Sequence, residues 1–493
     1  KIMSEFFLEL FSEEVPANLQ KNLRENLLKS FNEFFLEKSI KFKKNSSYST
    51  PNRLLILFQG VEKKIVLKSE EIKGPNTNSP DAALEGFARS NGVSKKELFI
   101  KKTDKGEFYF YKTRSKKLDT HSLLEEAVPQ ILNKIQWKKS MKWSNYELFW
   151  GRPLKSILSI FDKKKLNFKF HHFISSNSTF VDKEFEEKKK LFSDFKSYKN
   201  FFKKMDIVID HTERKDLIEK KFDIILKKRN INIDINPKLL QEVVDLTDQP
   251  NVIVCEFDKK FLNMPKEILI LTMQHHQKYF PTFDKKGNIT NQFLVVANNK
   301  DKKGLIKLGN ERVVEARLSD AEFFWHKDKA QNMVKKISDL KLMNYFKGLG
   351  NYFDKAQRMR RLGAIISDEL LISKEKVELS ASISKVDLLS ELVGEFPELQ
   401  GIMGGYFANV QGFDKELSLA ISEQYLPVGS GTKIPKKPYS IALSLADKID
   451  TLVGFFGVNQ KPTSSKDPFA LRRLALGIVR IIIENKKDFK IRD

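Results

Sequence analysis

A change in hydrophobic periodicity near residue 331 constrains this 493-residue chain more than any other feature of it. Before that point, apolar residues come in short runs and alternations broken by turn residues. After it, they recur every three to four positions, the spacing of one helix face. The opening SEFFLELFSEEVP reads as a strand ending at Pro16, followed by a helix carrying Leu19, Leu23, Leu27, Phe31, Phe34 and Phe35. NRLLILFQGV and EFYFYKTR read as strands, and LLEEAVPQILNKI as a helix that Pro129 interrupts or opens. In GPNTNSPDAALEGFARSNG, Ser79-Pro80-Asp81 offers capping chemistry to a helix that Gly92 stops. NVIVCEFD and QFLVVANN are short strands, and Gly287-Asn288 marks a hairpin tip. Beyond residue 331 six segments, from VKKISDLKLM to PFALRRLALGIVRIIIE, have helical periodicity. The expectation is a multidomain α+β protein: an N-terminal α/β domain over 1–165, a central one over 166–330, and an all-helical domain over 331–493.

Composition narrows the partners. With 88 Lys and Arg against 64 Asp and Glu, the formal charge is +24, an excess that attracts polyanions. Lysine outnumbers arginine, which suits phosphate-backbone contact better than bidentate base reading. Cys255 is the single cysteine, so no disulfide can form within the chain and a thiolate zinc cage is excluded; a reducing cytoplasm fits. No run of 18 apolar residues suggests a membrane span, and the N-terminal stretch reads as a strand without an export signal.

The stretch TMQHHQKYFPTF, Thr272 to Phe283, holds two of the seven histidines. Read as extended, it points His275 and His276 to opposite faces, so one metal ion could not take both. The HExxH spacing is absent. His, Gln, Lys and Tyr together supply donors and a stacking ring suited to phosphate or base contact. The alternative is one packed and one exposed histidine. PTSSKDP, Pro462 to Pro468, superficially resembles the KMSKS loop of class I aminoacyl-tRNA synthetases. A helix start, capped by Asp467 with Pro468 in the first position, is the simpler reading. No phosphate-cradling glycine loop or nucleophile elbow occurs.

Within the helical region, FDKAQRMRRLGAII, SASISKVDLL and SLADKID resemble the helical frame of HD-type phosphohydrolases. That resemblance implies a first His where Lys355 stands, a His-Asp pair where Ser384-Lys385 stands, and a last Asp matched by Asp447. A cation in place of an imidazole repels a metal, so an HD-like domain with a degenerate metal motif is expected, with no metal bound.

FLELFSEEVPANLQ, TPNRLLILFQG, MKWSNYELFWGRPLKSIL, MQHHQKYFPTFDKKGNITNQFLVVANN, GNERVVEARLSDAEFFWHKD, KVDLLSELVGEFPELQGIMGGYFA and ADKIDTLVGFFGVNQKPTSSKDPFALRRLALGIVRIIIE together resemble the beta subunit of bacterial heterotetrameric glycyl-tRNA synthetase. The resemblance implies an alpha2-beta2 assembly in which the alpha subunit holds the class II core, ATP and Mg2+, and this chain, without cofactor or catalytic residue, binds and positions tRNA(Gly). In that family anticodon-binding helices follow the helical region; this sequence stops at IIIENKKDFKIRD, before them, so anticodon recognition is not expected of these residues. Candidate tRNA contacts are His275, His276, Gln277 and an exposed Lys278, with Arg312 and Arg317; the two arginines could instead pair with Glu311, Glu315 or Asp320. The competing functions are an HD-type nucleotide phosphohydrolase and a free-standing RNA-binding protein.

Overall fold

The computed structural model describes residues 4–67, 71–113, 116–181 and 188–486. The chain divides into two compact units. The first takes Lys1–Lys228, Ile235–Val252 and Val296–Lys300; the second takes Arg229–Asp234, Ile253–Val295 and Asp301–Asp493.

The first unit is built on a sheet of β1 (Glu5–Ser12), β2 (Lys44–Thr50), β3 (Arg53–Gln59), β4 (Leu154–Phe161) and β5 (Lys164–Lys165), in the order β5-β4-β1-β3-β2. All its pairings are antiparallel, with Leu8 of β1 opposite Ile56 on one side and Ser159 on the other. Because successive strand residues alternate faces, Phe6, Leu8 and Leu10 share one face of β1 and Phe7, Glu9 and Phe11 the other. The first face packs on helices α1 (Ala17–Glu37) and α2 (Thr120–Asn133) through Leu27, Phe31, Phe35, Leu124 and Val128. Phe7 on the second face packs with Phe195, Tyr198 and Phe202 of α3 (Phe195–Lys204). Each such side chain contributes about 1.5–3 kcal/mol when fully buried.

That alternation also carries Glu9 into the interior, where a charge needs partners. Arg53 Nη1 lies 3.1 Å from Glu9 Oε1, and Tyr198 and Thr179 donate their hydroxyls to the same carboxylate. The Arg53 guanidinium is held between the Phe11 and Phe202 rings, 4.4 and 4.6 Å from their centroids. Nearby in sequence order, Arg24 of α1 pairs with Asp245 at 3.5 Å. Arg214 of α4 (His211–Arg229) donates to the carbonyls of Ser49, Val208, Ile209 and Val244 at 2.6–3.1 Å.

Two local expectations in this unit change. Helix Asp81–Ser90 has Pro80 at its N-cap and no side-chain cap bond, so Ser79 does not cap it; Gly92, at φ +64°, does follow its end. Helix α2 runs through Pro129 to Asn133 without stopping there.

The second unit holds most of a four-stranded sheet of β6 (Asn232–Ile233), β7 (Asn251–Glu256), β8 (Phe280–Phe283) and β9 (Ile289–Ala297), ordered β6-β8-β9-β7. The expected hairpin joins β8 and β9. Gly287 takes φ +83° at its tip, and the Asp284 carboxylate accepts the N–H groups of Lys286 and Asn288, both at 2.8 Å. Burial, with Glu311 second, pushes the Cys255 thiol up to about 12, so it stays protonated.

After α5 (Leu305–Lys329) the chain is mostly helical: α6 (Tyr352–Leu370), α7 (Lys374–Ile383), helices Ile402–Val410 and Lys415–Glu423, then α8 (Pro438–Gly457) and α9 (Leu471–Glu484). It is not wholly so. VKKISDLKLM forms a 3-10 stretch, Lys335–Leu342, and a two-stranded hairpin, Asn344–Phe346 with Gly350–Asn351, precedes α6. The last helix begins at Leu471, three residues later than its sequence suggests. Its N-cap is Ala470 and not Asp467, although the Asp467 carboxylate reaches forward to accept the N–H groups of Leu471 and Arg472 at 2.8 and 3.0 Å.

Candidate functional site

The histidine segment is not extended. Helix Lys266–Leu271 runs on into a π-turn, Thr272–His276, a wide turn that often marks functional positions. Thr272 and Met273 are buried, and the two histidines are exposed. Their rings stand perpendicular, 4.8 Å apart. His275 Nε2 faces Glu398 at 3.4 Å and His276 Nε2 faces Glu395 at 3.9 Å, so both histidines look toward carboxylates within their own unit. Alternation along a strand therefore does not govern them.

Gln277 and Lys278 are half-buried, and Lys278 takes φ +59°. The exposed lysine expected from the sequence is a partly packed one. Tyr279 is not an available stacking ring either. It is buried, stacks on Phe293 at 5.2 Å, and donates its hydroxyl to Asn310 of α5. Burial pushes its phenol up to about 12.

Helix α5 buries Val314, Leu318, Ala321 and Trp325 along one stripe, and Arg312 and Arg317 fall outside it, both exposed. Among the described residues neither arginine makes an ion pair. Glu311 is instead engaged by Lys307 at 3.6 Å and by the Glu256 N–H at 2.8 Å. The structure thus ties the π-turn to α5 through Tyr279 and Asn310, but joins neither arginine to the histidines by a hydrogen bond or ion pair.

The other candidate positions do converge. Lys355 of α6, Lys385 just past α7, and Asp447 and Asp450 of α8 meet in the interior of the second unit, each at most 5 % exposed. Asp447 and Asp450 lie three apart, so they share one helix face. Lys355 Nζ reaches Asp447 at 3.3 Å, Asp450 at 3.1 Å and the Thr451 hydroxyl at 2.7 Å. Lys385 Nζ reaches Asp447 at 2.7 Å, and Gln424 Oε1 and the Tyr425 hydroxyl at 2.8 Å each. An ammonium has three donors; Lys385 finds three hydrogen-bond acceptors, and Lys355 finds two with Asp447 as a further anion in ion-pair range. Arg358 adds a 2.6 Å bond to Asp450. Ser384 donates to the Ala381 carbonyl at 2.9 Å, closing on its own helix.

The electrostatics follow from burial set against these partners. Burial would raise Asp447, but Lys355 and Lys385 hold it well below the carboxylate range. Burial opposes the charge on Lys355, and Asp447, Tyr345 and Asp450 outweigh it, raising that group. Burial wins at Lys385, lowering it to about 8 despite Asp447. Lys448, whose Nζ has the Ser444 hydroxyl at 3.1 Å, is also lowered to about 8 by burial. Burial raises Asp387 to about 6, although the N–H groups of Gly401 and Gly404 bond to it at 2.5 and 3.1 Å. Where a divalent ion could be held by carboxylates, two ammonium groups already stand. Among the described residues no three His, Cys, Asp or Glu side chains are arranged to hold a metal.

Sequence reasoning missed Arg358, Asp387, Lys448 and Asp450 as members of this cluster. The signal was present for two of them: Arg358 and Asp450 each stand three residues beyond a position already singled out.

A family model of the glycyl-tRNA synthetase beta subunit matches residues 6–493. The glycine–tRNA ligase beta subunit of Rickettsia felis is 38 % identical over 494 aligned residues, covering 100 % of this chain and 74 % of the relative. Those of Rickettsia akari and Rickettsia canadensis are likewise 38 % identical, over 100 % of this chain and 73 % of each relative. With the match running through both units, the chain belongs to the glycyl-tRNA synthetase beta subunit family.

Proposed function

We propose that this chain acts in ATP-dependent ligation of glycine to tRNA(Gly), binding and positioning the tRNA for a catalytic alpha subunit in an alpha2-beta2 assembly. The observation that carries the reading is the match along the whole chain to beta subunits. The +24 charge supports it, since phosphate contacts favour such an excess. In this reading ATP and Mg2+ belong to the alpha subunit, and the assembly works in the cytoplasm. No described helix is long and apolar enough to cross a membrane.

In the same reading the second unit's helices keep an HD-like frame, and the internal ion cluster stands where that frame would hold its metal. Lys355 and Lys385 supply as side chains the positive charge that a metal would bring, and Asp447 is their shared counterion. Elemental analysis of the purified chain checks this: stoichiometric Mn, Fe or Zn, lost in Asp447→Ala, would overturn it.

His275, His276, Gln277, Lys278, Arg312 and Arg317 remain the proposed tRNA contacts. The histidines would have to exchange Glu398 and Glu395 for phosphate, whereas the two arginines are exposed without an ion pair among the described residues. The direct test of the function is reconstitution. The chain alone should support no glycine-dependent pyrophosphate exchange, and adding the alpha subunit should yield charged tRNA(Gly). Exchange by the chain alone, or charging unaffected by its omission, would refute the division of labour.

A further inference from the structure

The motif MKWSNYELFWGR, within the first unit, lies in an irregular segment over residues 134–153 between α2 and β4. Segments this long without regular structure inside a compact unit are usually functional. This one is firmly anchored from below. Met141 and Trp150 exchange backbone hydrogen bonds at 2.8 and 3.1 Å, closing the loop on itself. Trp150 is buried against Trp137 and Phe170, with ring centroids 4.9 and 5.6 Å away. Gly151 is required there, because a Cβ would stand 2.0 Å from the Trp137 ring.

On that base the loop holds apolar rings out to solvent. Phe149 is 62 % and Tyr146 40 % exposed. Tyr146 stacks on His172 with centroids 3.5 Å apart and planes 8° apart, and His172 in turn lies 3.9 Å from Phe173. Trp143 stands edge-on to both Tyr146 and His172 at 6.5 Å. The result is a short ladder of rings ending in a solvent-exposed one. Burial, with His171 second, lowers the His172 pKa and keeps that rung neutral.

The surroundings are cationic. Residues 134–152 carry four lysines and Arg152 against the single carboxylate of Glu147. Lys138, Lys139 and Lys142 are exposed, and among the described residues none has a carboxylate within ion-pair distance. Exposed rings extending a stack beside unpaired cations are the features by which proteins hold unpaired nucleotides, the rings taking bases and the lysines phosphates.

We infer that the 136–152 loop is a stacking shelf for unpaired nucleotides of an RNA strand, with Tyr146 and Phe149 receiving bases and Lys138, Lys139 and Lys142 the backbone. This deepens the proposed RNA-handling role and rests on it. Charge decides for RNA over a protein partner, because an apolar protein interface would not surround its rings with unpaired lysines.

The test measures binding of an eight-nucleotide adenylate RNA, a blunt RNA duplex and AMP to the full chain assembled with its alpha subunit. Tyr146→Ala should weaken octamer binding about tenfold or more, with unchanged thermal melting. Tyr146→Phe, which keeps the ring, should restore it, and duplex affinity should stay within about twofold. Replacing the three lysines by alanine should lower the salt slope of octamer binding by about two to three. Octamer affinity unchanged in both Tyr146→Ala and Phe149→Ala overturns the shelf. It leaves the proposed function standing if the wild-type assembly still binds tRNA(Gly) with steep salt dependence. A wild-type assembly that binds no tRNA overturns both. AMP bound as tightly as the octamer, and lost in the same variant, overturns the assignment to a strand. Loss of the alpha subunit with RNA affinity intact identifies a protein interface and also overturns it.

Discussion

In the first unit Arg24, Arg53 and Arg214 share the interior with Glu9, Asp245 and Asp248; in the second, Lys355, Lys385 and Lys448 share it with Asp387, Asp447 and Asp450. In the first interior three cations face three carboxylates, and in the second, where Asp328 of α5 is buried as well, three face four; the two interiors solve different problems. A guanidinium spreads its charge over five donors in a plane, and Arg214 uses that fork to tie together four carbonyls from three chain segments. Arg53 uses it to join the Glu9 carboxylate, the Thr179 hydroxyl and the Phe180 carbonyl, with the Phe11 and Phe202 rings against it. An ammonium is a point charge with three donors, so the lysine cluster gathers around one shared anion, Asp447. The arginine interior joins backbone segments and keeps its charge near neutral pH. The lysine interior joins side chains and stands close to losing protons.

The largest expected difference comes from removing the central anion. Asp447→Ala leaves two buried ammoniums without their common counterion, a change of about 3–5 kcal/mol, or on the order of 10 °C in Tm. Glu9→Ala should cost less, because Arg53 keeps the Phe180 carbonyl, the Thr179 hydroxyl and both rings. Urea unfolding resolves the two, since Trp325 reports the second unit and Trp137, Trp143 and Trp150 the first. An equal or larger loss in Glu9→Ala would break the comparison.

Alkaline pH should then separate the units without mutation. Lys385 and Lys448 titrate at about 8 when folded, below the ordinary lysine value of 10.5. Between these values the unfolded chain binds more protons, so the second unit should become more stable as pH rises from about 8 toward 10, by on the order of 1–2 kcal/mol. Lys355 acts oppositely: its contribution is complete below the unfolded value of 10.5 and is lost as pH climbs through its raised folded value. Arg214 is lowered only to about 10 by burial, with Asp248 opposing, so the first unit should stay flat from pH 7 to 9. Trp325 fluorescence in urea at pH 7, 8 and 9 checks the gain, which Lys448→Met should reduce.

A smaller effect of opposite design is expected at Asp387. Its folded value of about 6 means that ionisation costs stability as pH rises from about 4 to 6. Asparagine keeps an oxygen for the Gly401 and Gly404 N–H groups without the charge, so Asp387→Asn should stabilise the second unit at pH 8 by about 1 kcal/mol. Destabilisation there, measured by the same urea titration, would show that the carboxylate is needed as an ion.

Smallest for the fold, though not for the proposed activity, is Arg312→Ala. An exposed side chain without an ion pair should change stability by less than about 0.5 kcal/mol. If it contacts phosphate, the slope of log affinity for tRNA(Gly) against log salt should drop by about one. An unchanged slope removes Arg312 from the RNA surface.

Much of the secondary structure was legible because periodicity is a direct imprint of burial: LLILF and FLELF are strands for that reason, and α6 and α8 are helices for the same one. Glu9 was legible in principle, as an acid inside a strand's apolar run, but its partner Arg53 was not, because that pairing is made across strands whose order no local pattern states. The π-turn at Thr272–His276 was hidden since a five-residue turn inserts one residue into a helical pattern without changing composition. The positions Lys355, Lys385 and Asp447 could be picked out from resemblance alone. Their mutual satisfaction, with Gln424, Tyr425 and Thr451 completing the donors, required coordinates.

Neither unit is a continuous length of chain. The path passes from one to the other between residues 228 and 229, 234 and 235, 252 and 253, 295 and 296, and 300 and 301. Vectorial synthesis therefore cannot finish the first unit when its 228-residue opening stretch has emerged, since Asp245, the partner of Arg24, and Asp248 come later. The nascent interior must wait with Arg24 unmatched until helix Pro237–Leu246 leaves the ribosome, and the last piece, Val296–Lys300, follows only after most of the second unit's sheet has been made. At about 5–20 residues per second the interval from residue 228 to residue 300 lasts roughly 4–14 s, a window in which an incomplete charged interior is open to chaperones. The same interleaving means that no single cut in the polypeptide releases either unit free of pieces of the other.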